Sequence, residues 1–118
     1  MRSDTRTFYL DAIHRVLAPL ISDLDAAADL EKLASIAHLS PFHFHRVFRG
    51  MVGETPLELL RRLRLERSAH ALHATSAPVT QIAFDAGYET HEAFTRAFRA
   101  AFGESPSAFR RNARGKPI

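Results

Sequence analysis

The sequence predicts an all-α fold in which a helix–turn–helix unit occurs twice, with a long helix between the copies. Three observations carry this. No segment shows the period-two alternation of a strand. The chain matches itself at a nearly fixed offset, and both copies carry the same helix starts and stops.

The self-match opens with Leu33-Ala34 and Ala37, which return as Ile82-Ala83 and Ala86 at an offset of 49. From Phe44 the offset is 50. Phe44, Arg46, Phe48, Arg49, Gly53, Glu54, Pro56 and Arg61 return as Phe94, Arg96, Phe98, Arg99, Gly103, Glu104, Pro106 and Arg111. The one-residue slip falls between Leu39 and Phe44, where a turn is expected. Two copies are too few for a solenoid, so they mark a duplicated supersecondary unit.

In chain order, an amphipathic helix is expected over roughly 6–23, carrying Phe8, Leu10, Ile13, Val16, Leu17, Leu20 and Ile21, with Pro19 kinking it. Residues 24–28 read as a loop. Asp29 caps a short helix at about 30–37. Ser40-Pro41 supplies a cap and an N1 proline for a second helix, 41–52, which Gly53 ends. Thr55-Pro56-Leu57-Glu58 is a capping box opening a helix to about His73, with apolar Leu57, Leu60, Leu63, Leu65 and Leu72. The second copy follows the same order. A short helix covers 79–86 with Gly87 as its C-cap, a longer one runs from Thr90 to Gly103, and Ser105-Pro106 opens a last helix to about Asn112. Each copy is thus a short helix, a tight turn and a longer helix. The chain divides into 1–55 (N-terminal helix and first unit), 56–74 (linker helix), 75–112 (second unit) and a 113–118 tail that reads like the start of a linker.

Composition bounds what such a chain does. At 118 residues and 46% hydrophobic, it makes one domain or two very small ones. The lack of cysteine excludes disulfides and thiolate zinc sites. No apolar run approaches the roughly 18 residues of a membrane span, and no signal peptide opens the chain, so a soluble cytoplasmic protein is expected. Charge is uneven. Residues 1–45 hold Arg2, Arg6, Arg15 and Lys32 against six acids, whereas 46–118 hold twelve basic and seven acidic side chains. Fourteen of the sixteen basic residues are arginine, the better fork for phosphates and guanine edges. No Gly-rich phosphate loop and no Ser/His/Asp pattern is present, so no catalytic residue, cofactor or enzymatic role is expected.

On a helical wheel at about 100° per residue, Phe44, Val47, Phe48, Met51 and Val52 share the core side of 41–52. Phe42, Arg46 and Arg49 lie opposite, with His45 on the flank. His43 and His45 point too far apart to share a metal, and His70-x-x-His73 lacks a completing carboxylate or thiol, so no metal site is expected. Over 91–102 the core stripe is Phe94, Ala97, Phe98, Ala101 and Phe102; Glu92, Thr95, Arg96 and Arg99 face out. Core and arginines return between copies, while Phe42 becomes Glu92 and His45 becomes Thr95. Two reading heads for different base sequences need that pattern: shared phosphate or guanine contacts, divergent base-specific positions. Phe42 leaves two surroundings open, a thymine methyl or deoxyribose on one hand, the N-terminal helix or preceding loop on the other.

These residues carry a resemblance. Leu-Glu-Lys-Leu-Ala (30–34), Leu-Ser-Pro-Phe-His-Phe-His-Arg-Val-Phe (39–48), Gly-Glu-Thr-Pro (53–56) and Arg-Leu-Arg-Leu-Glu-Arg-Ser-Ala (62–69) resemble the DNA-binding domain of AraC/XylS-type transcription regulators. So does the block from Ile82 to Arg111, which looks like the family's signature in its second helix–turn–helix. The resemblance covers about residues 8–111; around Phe42–Phe48 the wording is nearest to members with a GyrI-like effector domain. It implies seven helices in two homeodomain-like subdomains. Helices 41–52 and 91–102 would enter successive major grooves, about 34 Å apart; the linker helix, on the order of 27 Å long, is compatible with that. Base contacts carried over from the family are Phe42, His45, Arg46, Thr90, His91, Glu92, Thr95 and Arg96. Phosphate contacts are Arg49, Arg61, Arg62, Arg99, Arg110 and Arg111. Glu92 departs from a DNA-facing norm, since an acid either accepts from a cytosine amino group or repels phosphate. The partners implied are double-stranded DNA and RNA polymerase, with the protein near the nucleoid and a monomer in this form. The competing expectation is a helical adaptor that binds RNA polymerase or another protein without specific DNA binding, its acidic 1–31 segment supplying the surface.

Overall fold

A computed structural model describes residues 3–26 and 29–113. Among them are seven helices and no strand: α1 (Ser3–Ser22), α2 (Leu30–Ile36), α3 (Pro41–Val52), α4 (Pro56–Ala74), α5 (Val79–Asp85), α6 (His91–Phe102) and α7 (Pro106–Ala113). The expected all-α order is observed throughout. α1 starts three residues earlier than its apolar pattern, where Asp4 accepts the Thr5 amide in the first turn. Pro19 lies inside α1, whose helix runs on to Ser22. The end of the expected 24–28 loop and the tail from Arg114 lie outside the described residues.

The polar punctuation forms the expected caps. Asp29 accepts the Lys32 amide at 3.2 Å, Ser40 the His43 amide at 3.2 Å, Thr90 the Ala93 amide at 3.1 Å, and Ser105 the Ala108 amide at 3.1 Å. Thr55 and Glu58 close their capping box in both directions, at 3.0 and 3.1 Å. Each bond satisfies an amide that the helix start leaves unpaired. Gly53 and Gly103 end α3 and α6 in the left-handed region, at φ 92° and 82°.

The two tight turns are the same device. In the first, the Leu39 amide donates to the Ala34 carbonyl and the His38 amide to the Ser35 carbonyl, both at 3.0 Å. In the second, Tyr88 donates to Ala83 at 3.1 Å and Gly87 to Phe84 at 2.9 Å. Each is a Schellman closure whose left-handed residue is His38 (φ 59°) or Gly87 (φ 92°). Gly87 therefore stands one position past the cap itself, which is Ala86. After the turn, Glu89 is an extra residue before the Thr90 cap, and this insertion is the slip in the repeat offset.

The chain forms two compact units, Met1–Arg61 and Arg62–Ile118. In the first, Ile13, Val16 and Leu20 of α1 are buried together with Leu33 and Ala34 of α2, Phe44 and Phe48 of α3, and Leu59 and Leu60 of α4. In the second, Leu65, Ala69 and Leu72 of α4 form one cluster with Ile82, Ala83, Phe94 and Phe98, and Tyr88, Phe102 and Phe109 pack against it. Leu57, one of the apolar residues of α4, is exposed, whereas Leu59 is buried. Ala101, expected in the core stripe of α6, is exposed too. In the last helical turn its single methyl is too short to reach the neighbours that half-cover the larger Met51 in the first copy.

Candidate nucleic-acid interface

Each longer helix is fixed by its inner face. Phe44 and Phe48 are 0% exposed with ring centroids 5.6 Å apart; Phe94 and Phe98 repeat the arrangement at the same exposure and spacing. Burying each ring contributes about 2–3 kcal/mol, so neither helix rotates on its axis without exposing a phenylalanine pair. The outward residues are set by that lock. In α3 these are Phe42, His43, Arg46 and Arg49; in α6 they are His91, Glu92, Arg96 and Arg99, all exposed.

Phe42 is 74% exposed, so it does not pack against α1 or the preceding loop. The guanidinium carbon of Arg46 lies 5.9 Å from its ring centroid, within cation–π range. An arginine over an aromatic face keeps its edge donors for an acceptor beyond it. In α6 the same i,i+4 pair is Glu92 and Arg96.

The remaining candidates separate by what already engages them. His45 is half-buried and lines a cavity with Leu30, Leu33, Thr55, Pro56 and Leu57. The exposed Thr90 uses its hydroxyl oxygen as the α6 cap. Thr95 is half-buried, and its hydroxyl is buried without a hydrogen-bond partner. Arg61, like Arg49 and Arg99, is exposed; Arg62 pairs with Glu66 at 3.0 Å, one helical turn on. Arg111 is exposed but Arg110 is half-buried. The Arg110 guanidinium donates to the carbonyls of Leu72 (3.0 Å), Thr75 (3.3 Å) and Ala77 (2.7 Å). This corrects the expectation of a phosphate contact: Arg110 satisfies the carbonyls at the end of α4 and in the connection that follows.

Three side chains with structural roles here escaped the sequence reading. Arg67 donates to the Asp85 carbonyl at 2.9 Å, and the Arg64 guanidinium lies over Gly87, where a Cβ would stand 3.4 Å from it. Tyr9 of α1 meets His43 of α3, Oη to Nε2, at 3.1 Å. Local spacing carries no trace of any of these contacts.

The face around Arg49 also holds an acid. The Glu58 carboxylate accepts the Thr55 amide and the Thr55 side chain, and Arg49 and Arg61 add their charge, so its pKa is held below the ordinary value. Among the described residues no group of three or more side chains is suited to hold a metal ion, and no helix is long and apolar enough to cross a membrane.

Comparison with known proteins agrees with this geometry. A helix-turn-helix domain model matches residues 33–112. The chain is 40% identical over 85 residues to the RCS-specific HTH-type transcriptional activator RclR of Escherichia coli, covering 72% of this chain and 30% of that protein. It is 31% identical over 109 residues to the transposon Tn10 TetD protein of Escherichia coli, covering 92% of this chain and 79% of that one. The chain spans about a third of the length of the first curated relatives it matches. A probable AraC family transcriptional regulator from Rhodopseudomonas palustris superposes with a TM-score of 0.78 at 27% identity, covering 88% of this chain and 98% of that one. The DNA-binding domain of AdpA, solved in complex with a target DNA, superposes with a TM-score of 0.76 at 30% identity, covering 88% and 94%. By sequence and by fold, the chain belongs to the AraC-type helix-turn-helix family.

Proposed function

We propose that this chain is the DNA-binding part of a bacterial transcription regulator, with α3 and α6 reading successive major grooves of one duplex. One observation carries the reading: both units lock a helix by two fully buried phenylalanines and hold an exposed arginine pair, Arg46/Arg49 and Arg96/Arg99, on the opposite face. The AdpA domain supports it, being similar in fold and described with its target DNA. In this reading Arg46 and Arg96 fork to guanine edges, and the Phe42 ring meets a thymine methyl or a deoxyribose. Glu92 accepts from a cytosine amino group, with His45, Thr90 and His91 beside these positions. Arg49, Arg61, Arg99 and Arg111 meet phosphates and set the register without carrying sequence. The protein acts as a monomer near a promoter and contacts RNA polymerase there.

The test is selection of bound duplexes from a random double-stranded library. An enriched, asymmetric site with two distinct halves is expected, because the two heads differ at Phe42/Glu92. Failure to enrich any duplex at low salt overturns the reading and leaves the protein-binding adaptor in its place.

A further inference from the structure

We infer that Tyr9 and His43 are a positioning pair for the first reading helix, a brace that the second head lacks; this rests on the DNA-reading role proposed above. His43 is the third residue of α3, directly after Phe42, and lies about 60° around the helix from Arg46. Its amide is held by Ser40 Oγ and its ring by Tyr9. The Tyr9 and His43 rings meet edge to face, centroids 5.6 Å apart at 79°, with Oη and Nε2 3.1 Å apart, a hydrogen bond whose direction the histidine tautomer sets. Phe8 closes on Tyr9 from its own side, centroids 5.5 Å apart at 68°.

Tyr9 is itself anchored. It precedes Ala12 and Ile13 by three and four residues on α1, and both of these are buried in the core of the first unit. The first turn of α3 is therefore tied to that core through a directional polar bond. Apolar packing fixes distance well and angle poorly. A hydrogen bond fixes both, and a bidentate arginine–guanine contact tolerates only about half an ångström of misplacement. In the second unit the residue aligned with His43 is Ala93. There α6 is seated by apolar rings instead, Phe98 and Phe102 against Phe109 of α7, with ring centroids 5.4 and 6.0 Å apart. The two heads thus differ in how they are aimed as well as in what they carry.

Tyr9→Phe deletes the hydroxyl and keeps the ring. Affinity is measured for the duplex selected from the library and for its single-base variants in each half, the half belonging to α3 being the one whose preference Arg46→Ala relaxes. In Tyr9→Phe, mismatch penalties in that half fall about three- to tenfold. Penalties in the other half stay as in the wild type, and thermal melting is unchanged. His43→Gln, which keeps a polar nitrogen near the Nε2 position, retains part of the discrimination that His43→Ala loses. Unchanged penalties in both halves overturn the proposal. So does an equal loss in both halves with lowered melting, which makes the pair structural only. A library that yields no duplex is a different result and overturns the DNA-binding reading itself.

Discussion

Phe42 has two surroundings open to it in the sequence, and its exposure with Arg46 over the ring selects the outward one. The arginine beside it gives a direct test. Arg46→Ala and Arg96→Ala should each weaken binding to the selected duplex by about 1–3 kcal/mol and relax preference at one or two base pairs. Wild-type discrimination in Arg46→Ala would remove α3 as a reading helix. Arg110 marks the limit of such residue-by-residue inference. An arginine on a terminal helix looks like any other phosphate candidate, because the carbonyls it satisfies lie 33 to 38 residues earlier. His38 is a case where a local conformation has a local consequence. It holds a left-handed φ of 59° at the position where the second turn has Gly87. A side chain there costs about 1 kcal/mol that glycine does not. His38→Gly should therefore raise the midpoint of urea unfolding of the first unit, and a lowered midpoint would show that the imidazole offsets the strain.

The helix boundaries were legible because their chemistry is local. Asp29, Ser40, Thr55, Thr90 and Ser105 each bond an amide three residues on, and the repeat printed most of that punctuation twice. The core faces of α3 and α6 were legible for the same reason, since a 3.6-residue period places Phe44 with Phe48 and Phe94 with Phe98. What spacing does not encode is the partner of a face. The Tyr9–His43 contact joins residues 34 apart, and a helical wheel that puts Ala101 on the core stripe does not say whether a neighbouring element covers it. The Thr55–Glu58 box is an element-scale feature with a measurable pH signature. Its carboxyl pKa is lowered in the folded chain by the Thr55 hydrogen bonds, so the folded state binds fewer protons than the unfolded one in the carboxylate range. The stabilisation is present above the unfolded pKa and is lost as pH falls through the folded one. Glu58→Gln keeps a capping side chain without the charge. Between pH 6 and pH 3, wild type should lose more stability than Glu58→Gln; parallel losses would show that the carboxylate adds nothing beyond the cap.

At the scale of the whole molecule, the uneven charge becomes a statement about binding. The formal net charge is +3, but all of the basic excess lies after residue 45, on and beyond the first reading helix, where twelve basic side chains stand against seven acids. Affinity for a duplex that neutralises phosphates falls linearly on a log–log plot against salt, by about 0.9 per contact. Six arginines qualify by position alone, and the contacts they already make rank them as proposals. Arg110 holds main-chain carbonyls and Arg62 faces Glu66, leaving Arg49, Arg61, Arg99 and Arg111. A slope of roughly −4 is expected if each of the four meets one phosphate. Arg49→Ala and Arg99→Ala should each flatten it by about one unit and weaken all sequences alike, because a phosphate contact carries no base information. Arg110→Ala should instead lower the stability of the second unit, by about 1.5–3 kcal/mol for charged bonds to carbonyls, and leave the slope of the folded protein unchanged. If Arg110→Ala flattens the slope while Arg99→Ala does not, the assignment of phosphate-facing and inward-facing arginines is reversed. If the wild-type slope is shallower than about −1, the arginine faces do not lie on a duplex, and the exposed arginines serve a protein partner.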